Sequence, residues 1–179
     1  MLTFAKPRNI DFEELARISA ANPSSSTVAT DMHFSFPHDI YLLSFKSLKD
    51  EAYSTPILSG QRIIETSGEN FISIFDVHTH DNESGVQMFL DEEFRDAYEK
   101  AFETVAAFAN DATTYAVRLL KVPPLYAEAI WLANESNADH DKFIPVRQSS
   151  SFVVNTVYAR DAFFEILRSA ARQKATFGK

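Results

Sequence analysis

A chain of 179 residues with 45% hydrophobic positions and no cysteine can bury a core of its own, and it carries neither a disulfide framework nor a thiolate nucleophile or ligand. Its formal charge of −8 disfavours nucleic acid and anionic membrane surfaces as partners, because binding either calls for a basic face. Sixteen phenylalanines against four isolated glycines leave no glycine-rich loop to cradle a phosphate, which removes the dinucleotide-binding and P-loop classes.

A first helix is expected over Asp11 to Ala21, with Phe12, Leu15, Ala16 and Ser19 on one face and Asn22-Pro23 as its stop. Residues 24–39, Ser-rich and then aromatic, read as an irregular loop that turns Phe34 and Phe36 towards the core and His33 and His38 towards solvent. Strands follow at Ile40 to Phe45, Ile57 to Thr66 and Phe71 to Thr79, the last two joined as a hairpin through Ser67-Gly68-Glu69-Asn70. A long amphipathic helix runs from Asp91, its cap, to Ala109. It buries Phe94, Tyr98, Ala101, Phe102, Val105 and Ala109 at spacings of three and four.

Thr114 to Val122 is apolar on both faces except at Arg118 and Lys121, as a central strand would be. Leu125 to Ala133 is read as a strand rather than as a helix begun at Pro124, and further strands are expected at Phe143 to Arg147 and Phe152 to Tyr158. A final helix from Asp161 to Lys174 closes the order. Runs of strands separated by single helices predict one α+β domain over residues 1–179. Its largely antiparallel sheet of about five to seven strands would pack with an N-terminal, a central and a C-terminal helix.

The sharpest motif is Phe-Asp-Val-His-Thr-His-Asp, residues 75–81, where the strand period of two places Asp76, His78 and His80 on one face. It resembles the Asp-x-His-x-His element that opens metal-dependent amidohydrolases and polymerase-and-histidinol-phosphatase-type phosphoesterases. That resemblance implies a divalent metal held at a strand end by His78 and His80, with Asp76 beside them. It spans seven residues, and 99 residues follow His80, fewer than the barrels of those families need. The alternation Asn137, Asp139, Asp141 is like a calcium loop, but Lys142 and Gln148 stand where such a loop needs glycine and glutamate.

Charge is segregated along the chain. From Asp81 to Glu103 there are eight acidic residues against two basic ones, and from Arg160 to Lys179 five basic against two acidic. Glu92, Glu93, Asp96 and Glu99 would therefore meet a basic protein partner, or the basic end of a second copy of the chain. The order of helices and strands is similar to that of type III secretion chaperones, which are also small and acidic. The leading expectation is a cytoplasmic, non-enzymatic protein-binding module without a cofactor, and the alternative is a metal-dependent hydrolase or metal-binding protein. No apolar run approaches the roughly 18 residues that span a bilayer, and the first residues carry no apolar signal core.

Overall fold

The computed structural model describes residues 1–22, 32–49, 55–80, 83–147 and 151–177. In chain order the elements are β1 (Leu2–Thr3), α1 (Phe12–Ala20), β2 (Met32–Leu42), α2 (Phe45–Lys49), β3 (Ile57–Ser67), β4 (Asn70–His80), β5 (Glu83–Phe89), α3 (Glu92–Ala106), β6 (Tyr115–Val122), β7 (Ala127–Asn134), β8 (Lys142–Pro145), β9 (Tyr158–Ala159) and α4 (Arg160–Phe177). The strands form one sheet in the order β5-β4-β3-β2-β6-β7-β8-β9, with β1 beside β6. Among the described residues only the β2–β6 and β1–β6 pairings are parallel, so the fold is α+β with a mostly antiparallel sheet. The strand count exceeds the expected five to seven. Two of the additions are two-residue pairings, and the third, β5, carries a glycine and several polar residues and so gives little apolar alternation.

Because successive strand residues face opposite ways, the core divides by sequence parity. Ile64, Ile74, Leu119 and Ile130 pack under α3 with Phe94, Tyr98, Ala101 and Val105. Their neighbours Leu120, Ala129 and Phe143 pack on the opposite face with Phe163, Phe164, Leu167 and Ala171 of α4, joined by Leu48 of α2. Ile63, Phe75 and Val77 meet Leu15 of α1. The sheet is thus a central layer, with α3 on one side and α1 and α4 on the other. Asp91 caps α3 by accepting from the amide of Phe94 at 3.2 Å, and Asp11 caps α1 by accepting from Glu13 and Glu14 at 3.0 Å.

Several expectations need correction. The irregular loop over 24–39 gives way over residues 32–39 to strand β2, which pairs with β3, while residues 24–31 lie outside the described ones. The break at Pro37 disguised the strand, since a register shift between Ser35 and His38 lets the ladder step past the proline. His38, expected near solvent, is fully buried, whereas His33 is exposed. Phe152 to Val157 is irregular rather than strand, and Phe45 begins a short helix. Strand β7 stands where it was expected, a residue or two late, because Pro123–Leu125 form a 3₁₀ turn. The apolar face of α4 uses Phe164 and Ala171 in place of Ile166 and Ala170, which are only half-buried, and Phe12, Ala16 and Ala109 are exposed.

One glycine is required by close approach. Gly60 lies opposite His78 in the β3–β4 ladder, and a Cβ there would stand 2.3 Å from the carbonyl oxygen of Val77 and 3.1 Å from Nδ1 of His78. Gly60→Ala is expected to cost about 1–3 kcal/mol through strand displacement. Urea denaturation measures this, and a loss within error of zero would show that the two strands part freely.

Candidate functional site

Beneath α3 the sheet buries charge. Arg62 of β3 is wholly enclosed and donates from Nε to Asp76 Oδ1 at 2.6 Å and from Nη2 to Oδ2 at 2.9 Å, while Nη1 reaches Glu128 of β7. Lys121 binds the same Asp76 oxygen as Nη2, and Arg147 donates to Glu128 Oε2 at 3.2 Å. The rings of Phe89, Phe94 and Tyr98 lie 4.9, 5.5 and 4.9 Å from the Arg62 guanidinium carbon and close the site to water. Burial alone would raise the pKa of Asp76, but the charge and hydrogen bonds of Arg62, then of Lys121, overcome it and hold the carboxyl at about 2. Every side chain here has its partner, so this network is a structural support for α3.

Above one end of the network lies a cleft of about 610 Å³. Its walls are Leu2 and Phe4 near the N-terminus, Phe36 of β2, the turn from Thr66 to Phe71, and Glu99, Phe102, Glu103 and Val105 of α3. The floor is an aromatic cluster, with Phe36 and Phe71 each 5.5 Å from Phe102 and Phe4 5.4 Å from Phe36. Glu69, Glu99 and Glu103 form the rim, and none of the described lining residues is basic.

Phe36 holds its place at a cost. Its φ of 53° is a left-handed conformation that a bulky side chain adopts with roughly 1–3 kcal/mol of strain. Two buried groups brace it. The Phe36 carbonyl can only accept, so His38 Nδ1 carries the proton and donates to it at 2.6 Å. His38 Nε2 must then accept from the Tyr98 hydroxyl of α3, also at 2.6 Å. Burial lowers the His38 pKa to about 4 and raises that of Tyr98, which keeps the imidazole neutral and the phenol protonated, as this relay requires. The amide of Ala5 adds a bond to the Pro37 carbonyl at 2.9 Å. The bulge therefore aims an aromatic ring into the cleft and ties that ring to α3.

The residues singled out from sequence are dispersed. Asp76 is committed to Arg62 and Lys121, and His78 places Nδ1 3.3 Å from the Ser59 carbonyl oxygen. The side chain of His80 lies outside the described ones. Among the described residues no three His, Asp or Glu side chains are grouped to hold an ion. Asp141 of the calcium-like loop is buried and accepts from the Asn134 amide and from Trp131 Nε1, and Asn137 caps the turn at Asp139.

Of Glu92, Glu93, Asp96 and Glu99, the acidic residues of α3 read from sequence as a partner surface, Glu99 borders the cleft. Asp96 lies three residues before it and seven before Glu103, on one helical stripe. Glu92 lies 3.7 Å from Arg95, and Glu93 faces a separate depression shared with Arg147. On the basic side, Arg160 pairs with Asp141 and Lys174 binds the Pro124 carbonyl, which draws those cations away from a second copy. Phe36, expected to turn towards the core, is instead 38% exposed at this cleft, and it joins Phe4 and Phe71, far apart in sequence, into one surface only through β2 and the β3–β4 turn. Comparison with protein-family models, with characterised proteins and with solved structures finds no match to this chain. Among the described residues no helix is long and apolar enough to cross a membrane.

Proposed function

We propose that this chain is a protein-binding module whose cleft between β2, the β3–β4 turn and α3 takes an apolar segment of a partner flanked by lysine or arginine. The observation that carries this reading is the strained Phe36, held by a buried His38–Tyr98 relay at the floor of an aromatic cleft with a carboxylate rim. Strain persists where the surrounding structure imposes it, and it concentrates at sites that recognise something. Exposed aromatic surface supplies affinity once desolvated, and the acidic rim supplies partner choice and a faster encounter. A metal-dependent reaction gains no comparable support, since Asp76 is engaged elsewhere.

The reading is tested with two labelled peptides that share their Leu and Phe positions and differ only in flanking Lys or Glu residues. The basic peptide should bind and should weaken as salt is raised. Glu99→Lys with Glu103→Lys should weaken it about tenfold, and leave the melting temperature nearly unchanged because both side chains point outwards. Equal affinity for the two peptides, or indifference to the charge reversal, would reject the proposal.

A further inference from the structure

On the face of the sheet opposite α3, a second cavity of about 240 Å³ lies between the sheet and α4. Leu120, Trp131 and Phe143 line it from β6, β7 and β8, and Phe164 lines it from α4. Trp131 is fixed there. Its indole Nε1 donates to Asp141 Oδ2 at 2.8 Å, and its ring stacks on Phe143 at 5.9 Å, which in turn stacks on Phe163 at 4.4 Å. Asp141 also accepts from the Asn134 amide and from Arg160, so its charge is met by a guanidinium that itself lines the cavity.

Arg118 lies just outside the lining of this cavity, next to its residues Leu120 and Trp131 in the sheet. It precedes Leu120 by two residues on β6, hence on the same face and roughly 7 Å away, and it pairs across the ladder with Trp131. Its guanidinium carbon is 4.9 Å from the Trp131 ring centre and 5.3 Å from that of Tyr41. Cation–π attraction to two rings set nearly perpendicular to each other holds the group at this place. Among the described residues no carboxylate or carbonyl pairs with it. The carboxylate opposite in register, Asp39, is held by Arg8 at 2.5 Å and by Gln61 at 2.8 Å. In a chain of net charge −8, Arg62, Arg147 and Arg160 all find carboxylates, and this half-buried arginine does not.

A guanidinium held by two rings, without a carboxylate among the described residues, next to an aromatic-lined cavity has the two halves of an aromatic carboxylate receptor: a fork for the carboxylate and an apolar slot for the ring. The volume suits one ring with a short side chain, since a cavity of about 150 Å³ already accepts benzene. We infer that this cavity and Arg118 together form a binding site for a small one-ring aromatic carboxylate. The site shares no residue with the acidic cleft and does not depend on the protein-binding reading.

Trp131 is the chain's only tryptophan, so its emission reports on the site directly. The full chain is titrated with phenylacetate, its neutral isostere phenylacetamide, and acetate, with calorimetry in parallel. Phenylacetate should give a saturable change in emission, at least about tenfold tighter than either control. Arg118→Gln should bring phenylacetate down to the level of the amide, and Arg118→Lys, which keeps the charge but loses the fork, should fall between. Circular dichroism checks that the variants are folded. If Arg118→Gln does not fold, the comparison of acid and amide on the unaltered chain decides alone. Equal binding of acid and amide, absence of a saturable response, or an undiminished preference in a folded Arg118→Gln would each overturn the site. Acetate binding as tightly as phenylacetate would reduce it to a bare anion contact and overturn it too.

Discussion

Arg62→Met should cost the fold about 3–5 kcal/mol, because it leaves Asp76 and Glu128 buried without the cation that both were built around. Lys121 and Arg147 remain, but they approach from the partly exposed margin and cannot replace a bidentate guanidinium at the centre. The loss is read from urea denaturation at neutral pH, and replacing Asp76 and Glu128 by leucine in the same variant should recover much of it. That recovery separates the penalty of stranded carboxylates from mere loss of packing under Phe94 and Tyr98. An Arg62→Met variant within about 1 kcal/mol of the parent would mean that water reaches the network. The half-exposed Arg8–Asp39 pair is the contrast, since a surface ion pair is worth no more than about 1 kcal/mol.

Acidification should destabilise the protein in two separate steps. The first belongs to His38, whose pKa is near 6.5 in the unfolded chain and about 4 in the fold. Between these values the unfolded chain binds a proton that the folded one refuses, so the stabilisation is complete above pH 6.5 and declines as pH falls towards 4. Over that window the loss is on the order of 3 kcal/mol, at 1.36 kcal/mol per pH unit. The second step belongs to Asp76, whose depressed carboxyl contributes above its ordinary pKa of 3.8 and loses that contribution as pH falls towards 2. Denaturation midpoints across the range should fall through both windows, and His38→Gln should flatten only the first. The proton resonances of the His38 ring should stay unprotonated down to about pH 4, and a titration near 6.5 would sink the argument. Protonation there also removes the acceptor for Tyr98, so the cleft should lose its Phe36 wall in the same step that costs stability.

Physical range explains which features could be read in advance. The capped helix α3, with Phe94, Tyr98 and Val105 inward and Asp96, Glu99 and Glu103 outward, obeys a period of 3.6 within a single segment. The β3–β4 hairpin and the strands β6 and β7 are likewise encoded by neighbours a few residues apart. Pro37, the bulge beside it and the polar residues of β5 broke local patterns that only pairing with β3 and β4 restores.

The candidate sites lie at the other end of that range. His78 and His80 drew attention because they are two residues apart, yet the Asp76 that precedes them is engaged by Arg62, 14 residues away, and by Lys121, 45 residues away. Phe36 enters the cleft because His38 and Tyr98, 60 residues apart, share a hydrogen bond. Composition, charge, helix periodicity and the α+β class were determined by the sequence alone, because each depends on residue type or on contacts within one turn or one ladder step. Which carboxylates are neutralised, which histidine is buried and which phenylalanines share a surface depend on strand order and register across the sheet. Only the tertiary structure decided those, because desolvation and ion pairing act through space between residues that the chain order keeps apart.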